Sequence, residues 1–314
     1  MNWQPSASLN NLVARARLNR LIRDFFSRRD VLEVETPLLC TTTATDPHLH
    51  SFSVQHGNET LYLQTSPEFC MKRLLAAGCG SIYQLGKAFR QEENSRIHNP
   101  EFTMLEWYRP DWTLHQLLDE IEALVNEAMA AFGLPISPFE RIHYQDCFQQ
   151  AVGLNPHTSS HSELLNAANA HINGDFSGLD KNGLLDLLMS HRVEPSLPKT
   201  GAFVMEFPAS QASLAKSKKT EAGYTVAERA ELYINGMEIA NAYQELVDAA
   251  EQAQRFKADF KQRAELRLPE LPIPQELIGA LQNGFPESAG VALGVDRLLI
   301  NILNESRITD VTSF

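Results

Sequence analysis

One dipeptide constrains this chain more than any other: Asn235-Gly236, set between Leu232-Tyr233-Ile234 and Met237-Glu238-Ile239. A tight turn whose twist matches its flanking strands needs positive φ at both central positions, which Asn and Gly tolerate best. The sequence therefore predicts an antiparallel hairpin in which Ile234 pairs with Met237, Tyr233 with Glu238 and Leu232 with Ile239. Strand alternation then places Leu232, Ile234, Met237 and Ile239 on one face, with Glu231, Tyr233, Glu238 and Ala240 on the other. Two carboxylates, Glu231 and Glu238, sit diagonally on that second face. Like charges so placed repel unless a cation joins them. Mg²⁺ bridging phosphate oxygens uses one or two carboxylates and suits the pair; a solvated polar face is the alternative.

The rest of the chain reads as strands in antiparallel neighbours with helices between. Residues 9 to 29 carry apolar residues at helical spacing. Residues 31 to 36 read as a strand stopped by Pro37, and Leu61-Tyr62-Leu63 as a short one. Ser66-Pro67-Glu68 opens a helix, with Ser66 as N-cap and Pro67 as its first residue. Residues 82 to 89 and 102 to 108 form two strands returning beside each other. Helices follow near 113 to 131 and 246 to 265, and residues 140 to 200 read as broken helical segments. Residues 203 to 207 form a strand, and residues 291 to 293 a last one, running into a helix. The expectation is one α+β domain over residues 1 to 314, an antiparallel sheet flanked by helices. No G-x-G-x-x-G or G-x-x-x-x-G-K-[ST] motif supports a Rossmann or P-loop nucleotide site.

Composition excludes several classes. A net charge of −12 without a long basic run argues against a dedicated nucleic-acid binder. The four cysteines form no C-x-x-C pair and read as free thiols. No apolar run reaches membrane-spanning length, and no leader pattern opens the chain, so a cytoplasmic protein is expected.

The chemistry concentrates in Phe89-Arg90-Gln91-Glu92-Glu93, His98-Asn99-Pro100-Glu101-Phe102 and Glu106-Trp107-Tyr108. Arg90, at the end of an apolar strand, presents a planar fork for phosphate oxygens. Phe102 offers a ring for a base to stack on, and Arg297 is a second cation at a helix start. Surface ion pairs for the arginines and core packing for Phe102 are the plainer readings. Glu245, beyond Asn241-Ala242-Tyr243, is a candidate carboxylate for a cationic ligand or an ordinary helix-start residue.

Together these segments resemble the class II aminoacyl-tRNA synthetase core, in its lysyl branch. Val34-Glu35-Thr36-Pro37 resembles motif 1, Phe89 through Tyr108 motif 2, and Gly290-Val291-Ala292-Leu293-Gly294-Val295-Asp296-Arg297 motif 3. Glu238 through Leu246 resembles the amino-acid-binding segment. The resemblance implies that Arg90 and Arg297 are catalytic. It implies an ATP site of Arg90, Gln91, Glu92, Asn99, Phe102, Glu238, Ile239, Gly294 and Arg297, with Mg²⁺ on Glu231 and Glu238. It implies an amino-acid site of Ser66, Pro67, Glu68, Tyr108, Asn241, Tyr243 and Glu245, and a homodimer through motif 1.

Three departures bear on function. The chain opens directly on the helix before motif 1, where lysyl-tRNA synthetases carry an anticodon-binding domain. Gln91 replaces the usual Asn of motif 2, and Ala292 stands where the synthetases have glycine. A lone lysyl core of this kind is similar to the elongation factor P β-lysine ligases. That likeness implies ATP-dependent activation of (R)-β-lysine, supplied by a lysine 2,3-aminomutase-type enzyme, and its transfer to a lysine of elongation factor P rather than to tRNA. A truncated lysyl-tRNA synthetase, a small-molecule amide ligase and a non-catalytic paralogue are the rival readings.

Overall fold

The computed structural model describes residues 3–91 and 93–314. Its centre is an eight-stranded sheet. In spatial order the strands are Leu32–Glu33, Ile82–Phe89, Glu101–Pro110, Ser288–Gly294, Met237–Gln244, Arg229–Ile234, Ala202–Met205 and Glu140–His143. The six central strands pair antiparallel, and only the two edge strands run parallel to their neighbours. The expected α+β class is therefore borne out, with strands from residue 32 to residue 294 sharing one sheet.

One face of that sheet is apolar. Leu105, Trp107, Leu232, Ala242, Val291 and Leu293 pack there against Leu18, Ile22, Phe25 and Phe26 of the helix Leu9–Ser27, and against the helix Leu114–Ala131. Both helices start on side-chain caps. Ser8 accepts from the Asn11 amide, and Thr113 forms a reciprocal capping box with Gln116. The opposite face is lined with charge and forms the floor of the site.

The Asn235-Gly236 turn forms as expected, with φ of 54° and 71°. Ile234 pairs with Met237 and Tyr233 with Glu238, but Leu232 pairs with Ala240 and Glu231 with Asn241. Ile239 is an extra residue, a β-bulge. The bulge moves Ala240 to the apolar face, correcting the expected alternation, and turns Asn241 and Tyr243 toward the charged face.

Other boundaries shift for local reasons. The expected strand over residues 31 to 36 shortens to Leu32–Glu33, although the Val34 amide still bonds the Tyr83 carbonyl at 2.8 Å. Pro67, not Ser66, occupies the cap position of the helix Glu68–Ala76; Ser66 Oγ accepts from the Glu68 amide at 3.1 Å. Within residues 140 to 200 the strand Glu140–His143 precedes the helices. The helix Gln275–Gln282 lies outside the elements that the sequence pattern predicts. Its Leu277 and Leu281 pack with Met71, Leu75 and Phe256, and so brace the helix carrying Glu68. Among the described residues, no helix is long and apolar enough to cross a membrane.

Candidate active site

The charged face of the sheet lines a cavity of about 1210 Å³. The register organises its floor in two rows. In one, Glu106, Ala292, Asn241 and Glu231 stand side by side on adjacent strands; in the next stand Tyr108, Gly290, Tyr243 and Arg229. Chain segments more than a hundred residues apart thus meet at sheet spacing. Ala292 lies between Glu106 and Asn241, so its methyl group is part of the floor.

At one end of the cavity sit the groups expected to meet the nucleotide. Arg90 follows the strand Ile82–Phe89, with its amide bonded to the Pro100 carbonyl. Its guanidinium contacts Glu93 Oε1 at 2.8 Å and lies 5.1 Å from the centre of the Phe102 ring. Arg90 Nε is buried and has no hydrogen-bond partner among the described residues, an orphaned donor that fits an incoming anion. Arg297 reaches across to Glu238, at 3.1 Å from its carbonyl and 3.4 Å from Oε2, and bonds His98 Nε2. Burial and the neighbouring Arg297 charge hold the His98 imidazole below its usual pKa, keeping it neutral. Asn99, Ile239 and Gly294 complete this wall.

Glu231 is less free than its position implied. Arg229 bonds one of its carboxylate oxygens, and the Tyr233 hydroxyl donates to the other. Glu194, outside any expected motif, lines the same region; burial and the charges of Glu231 and Glu238 push its carboxyl up to about 7. Among the described residues no group of three or more His, Cys, Asp or Glu side chains is placed to hold a metal ion.

The other end is buried and built from carboxylates. Lys72 Nζ lies 2.6 Å from Glu68 Oε1 and 2.7 Å from Glu245 Oε2. The Tyr108 hydroxyl donates to Glu106 Oε1 at 2.7 Å. Burial, reinforced by the Glu68 charge, lifts Glu106 to about 8, and burial with the same neighbour lifts Glu245 to about 7. Glu245 is 1% exposed, which excludes the surface helix-start reading. Gly290 makes this packing feasible: a Cβ there would stand 2.4 Å from both Glu245 Oε1 and the Tyr108 ring.

Most of the expected site residues therefore meet in one cavity. Two do not line it: Gln91, exposed with its amide tied to the His50 carbonyl, and Pro67, buried behind the helix start. Glu92 lies outside the described residues. Sequence reasoning passed over Lys72, Glu106, Arg229, Glu194 and Gly290 as site residues. Glu106 and Gly290 lay within the segments resembling motifs 2 and 3, and Lys72 carried a local signal, four residues after Glu68 on the same helix.

Comparison with known proteins agrees with this geometry. The family described as tRNA synthetases class II (D, K and N) matches residues 1–314. The chain is 48% identical over 322 residues to an elongation factor P–(R)-β-lysine ligase of Vibrio cholerae, covering 100% of this chain and 97% of that relative. It is 46% identical to the protein of the same name from Photorhabdus laumondii, over 100% of this chain and 97% of the relative. The Histophilus somni protein of that name is also 46% identical, over 99% and 97%. A sheet whose adjacent strands bring Arg90, Phe102, Glu238 and Arg297 to one cavity, matched over its whole length, belongs to the class II aminoacyl-tRNA synthetase family.

Proposed function

We propose that this chain is a ligase that activates (R)-β-lysine with ATP and transfers it to the ε-amino group of a lysine on elongation factor P. The observation that carries the reading is the pairing of two unlike ends in one cavity. An arginine whose Nε has no partner among the described residues stands beside an aromatic ring at one end, and a buried cluster of Glu68, Glu106, Glu245 and Tyr108 at the other. The first suits a nucleotide and the second a substrate with more than one ammonium group. Relatives that carry the ligase name over nearly their whole length support the choice of amino acid and acceptor.

In the first step the substrate carboxylate attacks the α-phosphorus of ATP, and the bond to pyrophosphate breaks. Arg90 holds the α-phosphate as charge builds on its oxygens, Phe102 stacks on adenine, Asn99 fixes the nucleotide, and Arg297 meets the far end of the triphosphate. Glu238 is the carboxylate best placed for Mg²⁺, with Glu231 behind it held by Arg229 and Tyr233; the ion would neutralise phosphate charge. Glu68 takes the amino group near the carboxylate, while Glu245, Tyr108, Asn241 and Tyr243 face the distal ammonium. In the second step a neutral lysine amine attacks the acyl carbonyl, the bond to AMP breaks, and the amine proton leaves with the phosphate.

We also infer that residues 1 to 314 act as one catalytic domain, working in the cytoplasm beside a lysine 2,3-aminomutase-type supplier. A homodimer is supported by the exposed apolar side chains of Leu32 and Leu38 and by the free edge of the strand Leu32–Glu33. The test is pyrophosphate exchange with β-lysine and α-lysine, followed by acceptor labelling. β-Lysine is expected to be the better substrate, and elongation factor P to be labelled while tRNA is not. Efficient charging of tRNA would overturn the assignment.

A further inference from the structure

Lys72 is the residue that neither the motifs nor the proposed roles account for. It is fully buried on the helix Glu68–Ala76, and its ammonium lies within 2.7 Å of carboxylates on two different elements. Burying an ammonium disfavours its charged form. Glu245 and Glu68 more than reverse that effect and hold Lys72 cationic. The helix bearing it is braced by Met71 and Leu75 against Leu277 and Phe256. It therefore sits directly behind Glu68 and Glu245, the carboxylates that line the end of the cavity that the proposed function gives to the substrate's amino groups.

We propose that Lys72 is a positioning residue that clamps Glu68 to Glu245 and sets the charge that the amino-acid end of the cavity presents. Five titratable groups face it or its partners: Glu68 on its own helix, Glu106 and Tyr108 from one strand, Tyr243 from another, and Glu245 just past that strand's end. With the three carboxylates ionised and Lys72 charged, this end carries two net negative charges. A diamino acid with two ammonium groups neutralises them, and a mono-ammonium substrate does not. Without a substrate, protons on Glu106 and Glu245 offset the same imbalance, so binding must expel them. The inference rests on the reading of this end as a diamino-acid site.

The test compares Lys72→Met and Lys72→Arg with the wild type, using β-lysine-dependent pyrophosphate exchange between pH 6.5 and 8.5. Lys72→Met is expected to raise the KM for β-lysine by about tenfold or more near neutral pH, with the KM for ATP changed less than about twofold. Its KM should recover only at higher pH than in the wild type, because carboxylates that lose their cation keep their protons longer. Lys72→Arg should restore most of the affinity. An unchanged or lower KM in Lys72→Met, or an unshifted pH profile, would overturn the proposal. Thermal melting shows whether each variant folds. If Lys72→Met does not, calorimetric titration of the wild type with β-lysine in buffers of different ionisation enthalpy still decides. Proton release at pH 7 is expected, and its absence would overturn the charge count. A wild type that fails to activate β-lysine at all would instead refute the proposed function.

Discussion

The two ends of the cavity hold charge by different means. At the end proposed for the nucleotide, the Arg90 and Arg297 side chains are 28% and 18% exposed and sit at a strand terminus and a helix start, each leaning on a neighbouring acid. At the amino-acid end, Glu106, Glu245, Tyr108 and Lys72 are almost wholly buried and lie on strands or a braced helix. A partly hydrated cation can turn toward a phosphate at little cost. A buried carboxylate cannot rearrange, so it must be offset internally until a ligand arrives. The first arrangement suits binding to ATP, the second discrimination among amino acids.

Separate substitutions can break this comparison. Removing Arg90 should do the most damage: under the proposed role, in which its fork stabilises charge that develops in the transition state, Arg90→Ala is expected to lower kcat for pyrophosphate exchange by about 10²–10³. A loss confined to the KM for β-lysine would undo the division of labour. Glu245→Gln is expected to weaken β-lysine binding by about 10², because it leaves Lys72 short of a partner and the substrate short of a charge. ATP binding measured by calorimetry should hardly change, and equal losses for both ligands would contradict the ammonium role.

Gly290→Ala sharpens the same boundary without touching a charge. Its methyl group must displace Glu245 or Tyr108, so a loss of about ten- to a hundredfold in β-lysine affinity is expected from overpacking. Acidity provides a further probe. Glu106 near 8 and Glu245 near 7 must lose protons before two ammonium groups can seat. Binding therefore strengthens as pH rises through that window and weakens as it falls. The KM for β-lysine should climb by about tenfold per unit for each proton below pH 7, measured at saturating ATP. The smallest effect is expected for Phe102→Leu, which trades a stacking ring for an aliphatic chain. It should raise the KM for ATP about fivefold and leave that for β-lysine alone.

Much of the nucleotide end was legible before the structure. Arg90, Asn99 and Phe102 lie in one short strand–loop–strand segment and Arg297 at a helix start, and all four line the cavity. The strands 82–89 and 102–108 were anticipated almost to the residue, because two apolar runs flank a polar loop. Gln91 shows the limit of that reading: as its neighbour Arg90 turns to the cavity, Gln91 turns out to solvent. The amino-acid end was harder. Neither Lys72 nor Glu106 carries a sequence pattern that announces its burial, since burial is not written in residue type.

The sequence by itself determined the turn at Asn235-Gly236, the antiparallel α+β class and the identity of the charged groups, because these depend on local backbone preference and on patterning within one segment. Only the tertiary structure decided which side chains share the cavity. The bulge at Ile239 reverses the strand's alternation and turns Asn241 and Tyr243 toward the cavity, a choice made by packing of Ala240 and Ala242 into the core. The approach of Lys72 to Glu245 joins residues far apart in the chain. Such a contact follows from how the helix docks on the sheet, which no local spacing encodes.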